Sequence, residues 1–149
     1  MINKNFIGTT FAPHTVTVEA GRLQFFLKAI GETGAIYTDR QASLNAGYDN
    51  IPVPPTFLFC LELEKPDPFA HLTEIGVDIA RVLHGEMAFE YYLPVSVGDT
   101  LTFIASITDI YQKKGGALDF IVIENRVSNQ NNEHVADLKS TVIQRNDNP

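Results

Sequence analysis

The strongest candidate for acid–base chemistry is the tripeptide His84-Gly85-Glu86, which opens a segment with strand-like alternation. Side chains two residues apart lie on one face of a regular strand, so the pattern predicts that Glu86 lies beside His84. A carboxylate next to an imidazole orients the ring and raises its basicity, as a general base requires. The alternative is a histidine at a strand start that hydrogen-bonds to backbone groups.

The other reactive side chains form no recognisable nucleophilic, metal or nucleotide site. No group of His, Cys, Asp or Glu has zinc-ligand spacing, so neither a metal nor a cofactor is expected. The sequence has no G-x-G-x-x-G after a strand, no P-loop and no G-x-S-x-G elbow. Cys60 lies in an apolar run and is predicted to be a small core residue. The remaining histidines are predicted at the surface: His14, His71 and His134.

Two helices are predicted before this segment. Apolar residues recur with helical period at Leu23, Phe26, Leu27 and Ile30. Thr17 is the predicted cap of this helix and Gly31 its end, whereas residues 32–50 have no clear period and are predicted to be mostly loop. The run from Phe57 to Leu63 follows Pro54 and Pro55 and is apolar all round, which favours a buried helix. A short buried strand is the alternative, because periodicity alone does not separate the two.

The C-terminal half alternates with period two and predicts antiparallel strands. Lys114-Gly115-Gly116 is a predicted hairpin turn, and the strand from Leu118 to Val127 is apolar on both faces, which is typical of a central strand. Helices grouped against an antiparallel sheet give an α+β architecture. Long edge strands generally need a partner, so a dimer is expected.

Composition limits the classes of partner. The chain has 149 residues, a length that suits one domain spanning residues 1–149. Its net charge of −7 disfavours nucleic acid, and it has neither a basic run nor an apolar span that would indicate a membrane. One cysteine and the absence of a signal-peptide pattern predict a cytoplasmic protein.

Three segments in order carry a resemblance to a known family. They are Pro54-Pro55-Thr56-Phe57, His84-Gly85-Glu86 and Val97-Gly98-Asp99-Thr100-Leu101. Together they resemble MaoC-like acyl dehydratases, also described as fatty-acid-synthase-like dehydratase domains. The resemblance implies a hotdog fold, in which an antiparallel sheet wraps around a buried central helix. It also implies an acyl-CoA or acyl-carrier-protein thioester as ligand.

The resemblance implies reversible addition of water to a trans-2-enoyl thioester, which gives an (R)-3-hydroxyacyl thioester. The thioester carbonyl would lie at the start of the buried helix, with substrate contacts from Pro55, Thr56, Phe57 and Gly85. The family supplies its acid and base from an Asp-x-Asn-Pro-x-His segment. In this sequence Glu32 stands in place of the aspartate and Tyr37 in place of the histidine.

Three functions follow as hypotheses. The first is a hydratase or dehydratase that uses His84 and Glu86, with Glu32 and Tyr37 as further candidates. The second is an acyl-binding subunit that pairs with a catalytic hotdog partner, because the altered segment departs from the family pattern. The third is a hotdog thioesterase that uses Glu62 or Glu64 late in the central helix. The partner is accordingly either a second copy of the chain or another hotdog subunit.

Overall fold

The computed structural model describes residues 1–146 and contains one five-stranded antiparallel sheet. The spatial order is β1-β3-β4-β5-β2, which places β4 at the centre, as the apolar character of both its faces predicted. The strand bounds are β1 His14–Thr17, β2 Val82–Tyr91, β3 Thr100–Lys113, β4 Leu118–Ser128 and β5 His134–Arg145.

The first helix, α1, spans Ala20–Ile30 and ends at Gly31, as predicted, because Gly31 adopts the left-handed conformation with φ 71°. The predicted cap at Thr17 is wrong. Thr17 belongs to β1 and pairs with Thr100, and Glu19 occupies the cap position without a side-chain hydrogen bond.

The prediction of a loop between residues 32 and 50 is also wrong in part. Two short helices lie there, α2 Ala35–Thr38 and α3 Arg40–Asn45. Asp39 caps α3, since its side chain accepts a hydrogen bond from the Gln41 backbone N–H. Helices of four and six residues are too short to produce a readable 3.6-residue period.

The buried helix is confirmed as α4, Phe57–Glu62, and the strand alternative is wrong. Phe57, Leu58 and Leu61 are fully buried and pack with Leu101, Phe103, Val127 and Leu138 of the sheet. A last helix, α5 Ala70–Glu74, follows and buries Leu72 in a second apolar cluster. An antiparallel sheet around α4 is the hotdog fold, so the predicted α+β hotdog architecture is confirmed.

A bulge in β2 overturns the prediction that His84 and Glu86 share a face. His84 pairs with Val142, but Glu86 pairs with Thr141, and the register shifts between them. Partners across a strand pair share a face, whereas adjacent residues of β5 point to opposite faces. Gly85 is therefore the additional residue of the bulge, and His84 and Glu86 lie on opposite faces of the sheet.

Gly85 is a residue whose replacement the structure predicts to be costly. A Cβ atom there would lie 2.6 Å from Cδ1 of Ile143 and 3.1 Å from the Thr141 carbonyl oxygen. We expect Gly85→Ala to lower the free energy of unfolding by about 1–3 kcal/mol, measured by urea denaturation, because overpacking forces neighbours to shift.

Gly21→Ala is the matched control, since nothing lies within 4 Å of a Cβ atom at this position in α1. This variant should be more stable by about 0.5–1 kcal/mol because alanine loses less conformational entropy in a helix. The cost of Gly85→Ala should shrink in an Ile143→Ala background. An unchanged cost there would show that contact with Ile143 is not its cause.

Candidate functional site

A cavity of about 390 Å³, here called the tyrosine cavity, lies beside the start of α4. It brings together α2, the segment before α4 and the end of β2. Pro55, one of the predicted substrate-binding residues, lines it. Thr56 is exposed next to it, whereas Phe57 is fully buried in the core. The lining residues are Tyr37, Tyr48, Pro52, Val53, Pro55, Tyr91, Tyr92, Leu93, Pro94 and Val95.

The structure brings Glu32 and Tyr37 together around Gly34. Oε1 of Glu32 accepts a hydrogen bond of 2.6 Å from the Gly34 N–H, and the Tyr37 N–H donates to the Gly34 carbonyl at 3.0 Å. A Cβ atom at Gly34 would lie within 3.4 Å of both side chains. The segment thus folds as one unit, but one oxygen of Glu32 is used to hold its own loop.

Three phenols of this cavity, Tyr37, Tyr91 and Tyr92, have raised pKa values. Burial, followed by the negative charge of Glu32, raises the pKa of Tyr37 above its ordinary value. Burial likewise raises the pKa of Tyr91, and a hydrogen bond to Asp137 raises that of Tyr92 to about 12. A raised pKa makes the Tyr37 phenol a weaker base at neutral pH than a histidine would be.

His84 lies away from the tyrosine cavity and lines a different one. Its ring stacks on Phe59 of α4 with the centroids 5.2 Å apart. Gly85 and Glu86 are exposed, and Glu86 lies on the opposite face from His84. The structure therefore does not bring His84 together with Glu86, nor does it bring His84 together with the pair Glu32 and Tyr37.

The second cavity, here called the apolar cavity, has a volume of about 220 Å³ and lies at the end of α4. No sequence pattern marks this cavity as a site, although Glu62 is one of the two residues predicted for a thioesterase. Among residues 1–146, Glu62 is the only acidic residue that lines the apolar cavity. The lining residues are Phe59, Glu62, Leu63, Pro68, Phe69, His71, Leu72, Val82, His84, Ile123, Ser140 and Val142.

Glu62 is buried, with 7% of its surface exposed. Its Oε1 accepts a hydrogen bond of 2.9 Å from Nδ2 of Asn125, and its Oε2 has no partner within the described part of the chain. Burial raises the pKa of Glu62, while Lys65 and the Asn125 bond act in the opposite direction. Asn125 interrupts the apolar inner face of β4 between Ile123 and Val127, and this interruption is the signal that could have revealed the pair.

His71 is not the surface residue that was predicted. It is half-buried, and burial, assisted by Lys65, lowers its pKa to about 4, so the ring is neutral at pH 7. Glu64 forms an ion pair with Arg22. No group of three or more potential metal ligands occurs among residues 1–146, and no helix there is long and apolar enough to cross a membrane.

The five-stranded sheet wrapped around α4 defines a hotdog protein. A family model described as the FAS1-like dehydratase domain region matches residues 5–138, and the chain belongs to this family. A protein of Saccharopolyspora erythraea, described as a UPF0336 protein, is 30% identical over 146 residues, with 97% of this chain and 92% of the relative covered.

Solved structures share the fold at lower identity. The C-terminally truncated HadBC (3R-hydroxyacyl-ACP dehydratase) complex from Mycobacterium tuberculosis gives a TM-score of 0.78 at 22% identity, covering 93% of this chain and 96% of that chain. A protein described as a MaoC-like dehydratase gives a TM-score of 0.81 at 22% identity, covering 94% of this chain and 42% of that chain. The resemblance to the MaoC-like family is confirmed.

Proposed function

We propose that this chain is the acyl-thioester-binding subunit of a hotdog hydratase or dehydratase, and that a second hotdog subunit supplies the catalytic acid and base. The reaction of the pair is the interconversion of a trans-2-enoyl thioester and an (R)-3-hydroxyacyl thioester. The observation that carries the proposal is that Tyr37 stands where the family pattern has a histidine, while burial and the charge of Glu32 raise the pKa of its phenol.

Hydration of an enoyl thioester needs a base for water and an acid for the α carbon. Glu32 already accepts a hydrogen bond from its own loop, and Tyr37 holds its proton at neutral pH. His84 is separated from Glu86 by the bulge and so lacks the carboxylate that would orient it. These features favour the binding subunit over the self-sufficient enzyme.

The unpaired edge of β2 is the surface proposed for the partner. Within the described sheet β2 pairs with β5 alone, so its other edge has free backbone groups. Leu83, Tyr91, Tyr92 and Leu93 are each more than a third exposed along and just beyond this strand. A second hotdog sheet would cover these side chains and pair the edge, and one structural neighbour is itself a two-component dehydratase complex by its description.

The test is hydration of crotonyl-CoA and trans-2-dodecenoyl-CoA, followed as loss of enoyl-thioester absorbance. We expect the purified chain to show no turnover, and to show turnover when it is coexpressed with a hotdog subunit that carries the Asp-x-Asn-Pro-x-His segment. The control is the same pair with the aspartate of the catalytic subunit replaced by alanine, and it should show no activity.

Turnover by the purified chain alone would contradict the proposal. The His84→Ala and Tyr37→Phe variants would then show which residue the activity needs. Thiol release from dodecanoyl-CoA, measured in the same samples, would instead indicate a thioesterase. The lone cysteine, which forms no internal disulfide, supports a reducing, cytoplasmic location for the pair.

A further inference from the structure

The apolar cavity lies at the opposite end of α4 from the tyrosine cavity. Pro55 precedes the helix and lines the tyrosine cavity, whereas Glu62 and Leu63 end the helix and line the apolar cavity. A helix of six residues is about 9 Å long. An acyl chain with its thioester near the start of α4 could reach the apolar cavity by following the helix.

The volume and lining of the cavity suit a hydrocarbon segment. Its volume of about 220 Å³ exceeds the roughly 150 Å³ of an apolar cavity that binds benzene. Its walls are mainly aliphatic and aromatic, with Phe59, Leu72, Val82, Ile123 and Val142 among them. Apolar walls with a few polar groups are typical of ligand sites, where the polar groups fix orientation.

Glu62 is the polar group that the folded chain leaves incompletely bonded. The Glu62 residue is 93% buried. Its Oε1 accepts a hydrogen bond from Asn125, and its Oε2 has no partner within residues 1–146. An unpartnered buried oxygen is costly, and such groups in folded proteins call for an explanation. A protonated carboxyl donates one hydrogen bond, so it would be completed by an acceptor oxygen on a bound ligand.

We propose that the apolar cavity binds the tail of an oxygenated acyl chain, and that the carboxyl group of Glu62 donates a hydrogen bond to a carbonyl or ether oxygen within that tail. Glu62 is then a specificity-determining residue. The proposal rests on the proposed function only in taking the ligand to be an acyl chain.

No neighbouring polar group within residues 1–146 bonds to Oε2 of Glu62, although the charge of Lys65 acts on the carboxyl. His71 is neutral at pH 7, because its pKa is lowered to about 4, and therefore offers no positive charge to the carboxyl. Asn125 bonds to the other oxygen. The raised pKa of Glu62 agrees with a carboxyl that keeps its proton and donates.

The test uses a ligand without a thioester, so that its result does not depend on catalysis or on a partner subunit. The probes are 2-octanone and its hydrocarbon isostere 2-methyl-1-octene, and their affinities for the full chain are measured from chemical-shift changes of methyl groups lining the cavity. We expect the ketone to bind about tenfold more tightly than the alkene, because a hydrogen bond contributes about 1 kcal/mol or somewhat more.

Three variants assign the preference to Glu62. Glu62→Met keeps the side-chain length without a donor and should bind both probes equally. Glu62→Gln keeps an N–H donor and should retain most of the preference for the ketone. Binding by this variant would also show that substitution at position 62 does not unfold the chain. Glu74→Gln removes an exposed carboxyl of α5 that does not line the cavity and should leave the ratio unchanged.

The carbonyl stretch of the bound ketone gives a direct readout. It should shift to lower frequency in the wild type and in Glu62→Gln, and not in Glu62→Met. Equal affinity of the wild-type chain for ketone and alkene would overturn the proposal, as would absence of binding by both. Either result would leave the test of the proposed function unaffected, because the ketone assay involves neither enoyl-CoA nor the partner.

Discussion

Replacing the Glu32–Tyr37 segment by the family pattern should convert this chain into a hydratase. The change comprises Glu32→Asp, Gly34→Asn, Ala35→Pro and Tyr37→His. A positioned acid–base pair contributes about 10²–10⁴-fold to such a reaction. We therefore expect the rate of crotonyl-CoA hydration to rise by about this factor above the uncatalysed background rate, followed as loss of enoyl absorbance.

The local backbone accepts each of these residues. Gly34 has φ −57° and ψ 132°, an ordinary extended conformation, and it occupies the cap position of α2, where asparagine is preferred. Ala35 is the first residue of α2, a position at which proline is favoured. The extended conformation of residue 34 is also the one that a following proline requires.

The side chains have room as well. A Cβ atom at residue 34 would lie 3.0 Å from Oε1 of Glu32, the far end of a flexible side chain. Shortening Glu32 to aspartate withdraws that oxygen. Tyr37 faces the tyrosine cavity, so a histidine in its place has access to a ligand there.

The control carries the same substitutions at positions 34, 35 and 37 but has Glu32→Ala. It should be inactive, since it lacks the carboxylate. The single Tyr37→His variant should also remain near the background rate. If the full replacement folds as the wild type does and still shows no turnover, the tyrosine cavity is not where the thioester binds.

Strongly patterned elements of this fold could be predicted from the sequence. The buried α4 and the central β4 were identified because their apolar character on all sides has few structural interpretations. The stop at Gly31 was identified because glycine is the residue best suited to the left-handed conformation found there. The resemblance then supplied the hotdog arrangement that local patterns alone do not specify.

The candidate site was harder to predict, and the reason is geometric. A bulge adds one residue to a strand, so the period-two rule placed Glu86 on the wrong face relative to His84. Asn125 and Glu62 are 63 positions apart in sequence, and their contact depends on how α4 lies across the sheet. Burial of His71 likewise arises from packing of segments that are distant in sequence, including Phe11.

Glu62→Gln should make the chain more stable at neutral pH and leave its stability nearly unchanged in mild acid. In the unfolded chain this carboxyl has a pKa of about 4.3. Burial raises its pKa in the folded chain. Between these two values the unfolded state has released a proton that the folded state retains, so rising pH favours unfolding.

The favourable contribution of the wild-type carboxyl is thus fully present below its unfolded pKa and is lost as the pH rises through its folded pKa. Glutamine does not titrate, and its amide oxygen can still accept the hydrogen bond from Asn125. We expect a stability gain at pH 7 of about 1.4 kcal/mol for each unit by which burial raises the pKa of Glu62, because glutamine has no proton to release on unfolding. The gain should approach zero near pH 4, measured by urea denaturation at each pH.

His71 adds a pH dependence of opposite sign, because its folded pKa is lowered to about 4 and its contribution is lost as the pH falls toward that value. This contribution is common to both proteins and cancels in the difference between them. Glu74→Gln, at an exposed position in α5, is the matched control and should show no such trend. A Glu62→Gln variant that is less stable than the wild type at pH 7 would show that the carboxyl is stabilising as it stands.

The same residue thereby connects stability with binding. Glu62 lowers stability in the empty chain. A function in binding would explain why such a costly group is kept, because the ligand completes its hydrogen bonds. The stabilisation that 2-octanone gives should be larger for the wild type than for Glu62→Met, because binding to the native state adds its free energy to that of folding. A stability gain in Glu62→Gln without any ketone preference in the wild type would instead separate the two roles, leaving Glu62 as a destabilising core residue with no ligand.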